Sequence, residues 1–367
     1  MPSPSPRRRT GPERKILSTR NKGGQATLSE KRDSLFVLDA HFDMPMEILE
    51  RSLRDEKDIF RRYHRQNLRR GGVDCLVGAL YVNSIWLPEM GLRCALDQIS
   101  ALMAEVESCP EDLAICRTMA EVDGAKREGK IALLLSLEGA DPLGNDLRLL
   151  PIFHALGVRG LGLAWSRRNY AADGCWFHPR REGRKGGLTD FGVALVEEAT
   201  RLGMWIDVSH LNDEGFWDVM ELVKGPLIAS HSNARALVPG MMRNLTDDQI
   251  RAIAERGGVI GMNALDAFIG GGGDGRRLGP DDLARHADHI ARLVGIEHVG
   301  IGFDLCDGLP SFHSMPDGFP TYDVIENHGE TGRFLQALES RGYSREQVAL
   351  VAGGNFARVF RQILDRY

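Results

Sequence analysis

The stretch "LDAHFDMP", residues 38–45, ends an apolar run with His41 and Asp43 two positions apart. On an extended strand residues i and i+2 face the same side, so the imidazole and the carboxylate would point together. That pair is a common ligand set for a borderline divalent metal ion. Taken alone it is equally an ordinary polar strand end, because a His-x-Asp triplet arises often by chance. Other runs end in the same way: Glu138 closes "LLLSLEG", His210 closes "WIDVSH", His231 follows "LIAS" and Asp304 closes "GIGFD". A carboxylate at the end of an apolar strand is costly to bury without a cation or hydrogen-bond donors. A nearby arginine could serve Glu138, and a lone histidine in such a place is usually a core or capping residue. Two histidines on successive runs, together with the carboxylates, form a constellation.

Three histidines, Asp43 and Glu138 carry two negative charges between them, or three with a bridging hydroxide. Against two divalent cations the site would stay about one unit positive and suit an anionic substrate. A metal pair also lowers the pKa of a shared water and polarises a carbonyl or phosphoryl oxygen, so hydrolysis is the natural reaction class.

These residues need a frame. Eight apolar runs recur along the chain, at 35–41, 73–81, 131–139, 158–165, 204–210, 226–232, 258–263 and 298–304. Between them lie segments of helical spacing. In "TDFGVALVEEATRLG" (189–203) Thr189 is placed to cap, and Phe191, Leu195, Val196 and Ala199 share one face. In "TDDQIRAIAERGG" (246–258) Thr246 is the N-cap, acids fill the first turn and glycine ends the helix. Near-continuous apolar strands alternating with amphipathic helices imply a parallel sheet covered by helices. Eight such units favour a single α/β barrel of the (β/α)₈ TIM type over an open doubly wound sheet, with the active site at the C-terminal ends of the strands. His41, Asp43, Glu138, His210, His231 and Asp304 all fall there.

The 367 residues could make two average domains, but such barrels take this length as one. A hydrophobic share of 43% supplies a core large enough for a rigid site, and a net charge of −5 argues against a nucleic-acid footprint over the body of the protein. Six cysteines without CxxC spacing suggest neither a structural zinc site nor a disulfide framework, and fit a reducing cytoplasm. No stretch approaches the roughly 20 apolar residues that cross a bilayer, so no membrane partner is expected. Residues 1–32 carry nine Lys/Arg against two Glu and lack the apolar centre of a secretory signal. They are expected to form a disordered basic tail, with a transit segment, an acid-binding arm or a misplaced start as the other readings. The hydrolase domain is then 33–367.

In this order the residues resemble the membrane (renal) dipeptidase family, binuclear zinc peptidases of the amidohydrolase-like barrels. The likeness covers roughly residues 36–365 through "DAHFD", "LSLEGAD", "RNYAADG", "RLGMWIDVSH", "SHSNARAL", "RNLTDDQI", "GGVIGMN", "HVGIGFD" and "GGNFARVF". It implies that His41 and Asp43 bind one zinc, His210 and His231 the other, and Glu138 bridges both. It further implies that Arg243 grips the substrate carboxylate, a task that suits a guanidinium fork, and that Asp304 holds the substrate amine or passes the proton to the leaving nitrogen. A dipeptide or an N-acyl amino acid is the expected substrate, attacked by the metal-bridging hydroxide, and homodimer formation is the family's habit.

Trp165, Cys306 and Leu265 depart from the family pattern. Trp165 stands where well-known members have a histidine that touches the substrate carbonyl; an indole donates one hydrogen bond and cannot become cationic. Asn169 takes the place of the family asparagine with a one-residue change in spacing. Cys306 is inserted in "GFDLCDG", which leaves Asp304 as the catalytic acid and Asp307 in reserve, and Leu265 stands where some members place a tyrosine. All these changes fall in the substrate pocket, so a lactonase or phosphoester hydrolase with the same metals, and a weakly catalytic metal-binding barrel, remain the alternative readings.

Other features are assigned to structure. His286 and His289, three apart on a helix, precede the eighth run and belong to the outer layer. The glycine-rich 268–279 lacks the lysine of a phosphate loop. The five arginines of "FRRYHRQNLRRGG" form a solvated face, and nothing near Cys175 argues for a nucleophile.

Overall fold

The computed structural model describes residues 1, 35–177, 183–270, 276–306, 308–309 and 321–365. The basic tail and Asp307 lie outside the described residues, as does part of the glycine-rich loop.

Nine parallel strands carry the fold: β1 (Val37–Phe42), β2 (Val73–Tyr81), β3 (Leu113–Ile115), β4 (Ile131–Glu138), β5 (Val158–Gly162), β6 (Trp205–Asp207), β7 (Ile228–Ala229), β8 (Val259–Met262) and β9 (Val299–Ile301). Their order is β2-β1-β9-β8-β7-β6-β5-β4, and β2 pairs with β4 to close the ring. These eight are the eight apolar runs, and they form the expected (β/α)₈ barrel. The ninth strand, β3, pairs only with the start of β4, from Leu113 opposite Ile131 to Ile115 opposite Leu133. Pairing of β4 with β5 begins later, at Leu135. So β3 fills the short stretch of edge that β5 leaves free, and three residues carry too little periodicity to stand out in sequence.

The caps form as the sequence predicts. Thr189 Oγ1 accepts from Gly192 N at 3.0 Å at the start of the helix Asp190–Arg201, and Thr246 with Gln249 makes a reciprocal capping box on Asp247–Glu255. Leu195, Val196 and Ala199 are buried on the predicted face. At the N-terminal end of the barrel, the helix Asn355–Leu364 touches β1, β6, β8 and β9. Phe356 and Phe360 pack there with Trp205, Leu38, Cys75 and Val259 in one buried cluster. That plug leaves the opposite, C-terminal end as the open face. Among the described residues no helix is long and apolar enough to cross a membrane.

Candidate metal centre

The strand ends deliver the reactive groups by three different local geometries. Glu138 is the last residue of β4, and its alternation with buried Leu137 turns it into the barrel mouth. His41 is inside β1, but Asp43 is not on the strand. It stands at the N-cap position of the helix Met44–Ser52, with φ −74° and ψ 24°. The register of β1 shifts between Asp39 and Phe42, so simple alternation does not explain why the pair meets. His210 and Asp304 lie beyond their strands at φ 68° and 55°, two of only four non-glycine residues with positive φ among the described residues. Such backbone persists only where the surroundings hold it. Here Cys175 N donates to His210 O at 2.8 Å, and Asp304 N donates to His41 O at 3.2 Å.

Glu138 Oε1 is the point of convergence. It lies 3.0 Å from His210 Nε2, 3.5 Å from His41 Nε2 and 3.6 Å from His231 Nε2. His41 Nε2 is also 3.9 Å from Asp43 Oδ1 and 3.7 Å from Asp304 Oδ1. Nε2 of His210 and Nε2 of His231 are 2.9 Å apart. Every one of these residues is buried.

Burial alone would keep such a cluster neutral, and the shifts show where it fails. The Asp43 carboxyl is pushed well above its usual range by burial and by the charge of Glu138. Burial also raises Glu138, but His41, His210 and His231 outweigh it and hold its carboxyl well below the usual range. His210 is pushed down to about 3 by burial and by Arg243, which leaves its imidazole in the neutral form that binds metals. His41 goes the other way: burial lowers it, and Glu138, Asp304 and Asp43 together lift it to about 10. The carboxylates therefore demand a positive charge at His41 Nε2, which a proton or a divalent ion can supply. Buried His41 Nε2, Asp43 Oδ1 and Glu138 Oε2 have no hydrogen-bond partner. Unpaired buried acceptors of this kind cost free energy unless a cation meets them. The donor set, imidazole nitrogens and carboxylate oxygens spaced 3–4 Å apart, fits one or more borderline divalent ions.

The sequence profile of the membrane dipeptidases, peptidase family M19, matches residues 28–366. The chain belongs to that family. Its members are metal-dependent hydrolases. Human dipeptidase 3 is 30% identical over 342 residues, which cover 89% of this chain and 65% of the human protein, so the chain spans less than two thirds of that relative. The crystal structure of the dipeptidase AC, a family M19 metallopeptidase, superimposes with a TM-score of 0.77 at 30% identity, over 90% of this chain and 99% of that one. A metallopeptidase from Rhodobacter sphaeroides, solved with a phosphinate mimic of the dipeptide L-Ala-D-Ala, gives 0.77 at 29% identity, again over 90% and 99%.

Around this centre stand the residues expected to handle substrate. Arg243 is buried, and its guanidinium donates to Ser232 Oγ at 2.8 Å and to the His231 carbonyl at 2.7 Å, leaving Nε without a partner. Trp165 stacks at 31° on His210 with ring centroids 5.8 Å apart, and Tyr81, Trp176 and Phe177 pack around it at 5.3, 6.0 and 5.4 Å. Asn169 does not reach the centre. Its Oδ1 accepts from Ala171 N and Ala172 N, and Nδ2 donates to the Leu163 carbonyl at 2.9 Å, so its amide is spent on shaping the loop behind Trp165. Leu265 is buried. Asp304 accepts from Asn263 Nδ2 at 2.8 Å.

Several supporting residues escaped the sequence reading. Ser166 Oγ sits 3.0 Å from His210 Nδ1; Ser230 Oγ lies beside His231 Nδ1 and bonds Asp207. Both serines adjoin a motif residue, but serine beside a strand end is too common to be a signal. Arg235 is a second case. It binds Asp213 through both nitrogens at 2.8 and 2.7 Å and also donates to the Asn244 and Met242 carbonyls at 2.7 and 2.9 Å, which pins the turn carrying Arg243. Burial raises the Asp213 carboxyl, but the Arg235 fork outweighs it and holds the group below the usual range. A carboxyl lowered in the folded state adds stability above its unfolded pKa, about 3.9, and loses it as the pH falls. Asp213→Asn is therefore expected to lower the melting temperature at pH 7, by a difference that shrinks toward pH 3, and to raise KM roughly fivefold with kcat little changed. A constant difference across that range would remove the pair from the account.

The features assigned to structure find other partners. His286 Nδ1 faces Ala234 N at 3.1 Å and His289 Nε2 faces Asp247 at 2.8 Å, so the two rings share no metal position. All six cysteines are buried and unpaired, and burial raises the Cys175 thiol.

Proposed function

We propose that the chain is a two-zinc dipeptidase that cleaves a small dipeptide with a free C-terminal carboxylate. The observation that carries this reading is Glu138 Oε1 within 3.6 Å of three imidazole Nε2 atoms, with Asp43 Oδ1 3.9 Å from the same Nε2 of His41. His41 and Asp43 would hold one ion and His210 and His231 the other, with Glu138 shared. When bound, such a pair polarises the scissile carbonyl and makes water nucleophilic near neutral pH.

The chain's own groups do the rest. Arg243 is held by Ser232 and His231, next to a ligand, and its unspent Nε can meet an anion. A substrate carboxylate held there, beside a ligand histidine, suits a dipeptide. Asp304, buried and lifted to about 6 mainly by burial, carries or releases a proton near neutrality and suits transfer to the leaving amine. Trp165 offers an apolar wall and one N–H donor where a cationic imidazole would add charge. The dipeptide mimic in the similar Rhodobacter sphaeroides enzyme supports the substrate class.

The test is steady-state assay of the zinc-loaded chain on matched dipeptides, their C-terminal amides, N-acyl amino acids, lactones and phosphodiesters. Dipeptides are expected to be preferred over their amides; preference for a lactone or phosphodiester without a carboxylate would overturn the reading, as would hydrolysis of none. Arg243→Lys exchanges a fork for a single ammonium. It is expected to raise KM for dipeptides by roughly thirtyfold, the equivalent of about 2 kcal/mol, and to leave the amides unchanged.

A further inference from the structure

Ser230 has one hydroxyl proton and three close neighbours. Its Oγ lies against Asp207 Oδ2, 2.6 Å from His231 Nδ1 and 3.4 Å from His41 Nδ1. An ionised carboxylate only accepts, so the proton goes to Asp207. The oxygen must then accept from both rings, which places a proton on Nδ1 of His41 and on Nδ1 of His231. Both Nε2 atoms are left with free lone pairs, and both point at Glu138. The two rings themselves lie against each other, centroids 3.7 Å apart and planes tilted by 33°.

Asp207 is fixed for this task. Its Oδ1 accepts from Ser209 N and Ser230 N, both at 3.0 Å, so Oδ2 can only turn toward the hydroxyl. Asp207, His41 and His231 lie close enough to hold an ion among themselves. The carboxylate is nevertheless consumed by these three donors, which makes it a partner of the ligands and not a ligand.

We infer that Asp207 and Ser230 form a shared positioning unit that sets the tautomer of two histidines holding different ions, and so couples the two metal positions through one hydroxyl. The inference rests on the two-ion reading above. Outer partners of metal-bound histidines orient the ring and raise its basicity, and their loss typically weakens metal binding by roughly 10- to 100-fold. Here one serine would affect both ions at once.

Two variants test it. Ser230→Ala removes the acceptor. Asp207→Asn keeps the shape, and because Oδ1 is pinned by two backbone N–H groups, its new amide must donate to Ser230 Oγ. The hydroxyl must then donate its hydrogen bond to a histidine Nδ1, so that ring takes the tautomer with its proton on Nε2, which blocks the ligand atom. The metal-stripped full chain is titrated with Zn²⁺ against a chromophoric chelator, and repeated with Co²⁺ to follow its visible bands; melting of the stripped variants checks folding. Wild type is expected to take up two ions. Both binding steps should weaken by about 10- to 100-fold in Ser230→Ala and at least as much in Asp207→Asn. A two-ion wild type with either variant unchanged, or with only one step weakened, overturns the shared unit alone. A wild type that binds fewer than two ions overturns the two-ion reading and the sharing with it.

Discussion

Replacing Glu138 with glutamine is expected to cut kcat/KM by about a thousandfold or more and to leave the chain with fewer than two bound ions. A thousandfold is about 4 kcal/mol of barrier, and the geometry accounts for its size. Glu138 is the only group within 3.6 Å of all three imidazole Nε2 atoms among the described residues, and it is buried. Glutamine fills the same volume but removes one charge from a centre in which Asp43 and Glu138 are the two proposed ligand carboxylates. It also presents an amide donor to nitrogens that must offer lone pairs. Two cations would then be held by one carboxylate and three neutral rings, all of them buried. Elemental analysis after dialysis and steady-state kinetics on a dipeptide make the check. Two retained ions together with activity within tenfold of wild type would remove Glu138 from the centre.

Asp304→Asn should separate proton transfer from metal binding. The loss of kcat is expected to be about 10²- to 10⁴-fold, the usual worth of a positioned acid or base, with ion content unchanged. Burial and the Glu138 charge raise the Asp304 carboxyl, while His41, Arg243 and the Asn263 amide lower it, and the balance is about 6. Bound cations shift that balance downward. If Asp304 must be ionised to take a proton before giving it to the leaving amine, wild-type kcat/KM falls as the pH drops through a value at or below about 6. The asparagine variant should lose that acid limb. An unchanged limb would mean that another group titrates there, and activity above a tenth of wild type would mean that the proton travels elsewhere.

These predictions draw on two kinds of information. Periodicity and end signals are local, so the eight apolar runs, the helices capped by Thr189 and Thr246 and the strand-end residues His41, Glu138, His210, His231 and Asp304 were all legible in the chain itself. A strand end in a parallel α/β protein is where chemistry is placed, and that rule needs no coordinates.

The eight units announced a closed barrel, but not the registers that close it, because β2 against β4 and β1 against β9 are pairings between distant segments. Only closure puts Ser230 beside His41, 189 positions away. Local backbone was also decided by its surroundings. Strand alternation brings His41 and Asp43 together on paper, but Asp43 reaches the centre from a helix N-cap after a register shift. His210 and Asp304 reach it through left-handed backbone, which Asp and His tolerate better than most residues but which nothing in the apolar runs before them announces. Asn169 spends its amide on the Leu163 carbonyl and Ala171 N, contacts of the folded loop that spacing alone does not reveal. The sequence by itself determined which side chains could bind metal and on which end of the barrel they stand. The tertiary structure decided which nitrogen of each ring faces inward and what holds it there, since that depends on hydroxyls and carboxylates brought from other strands.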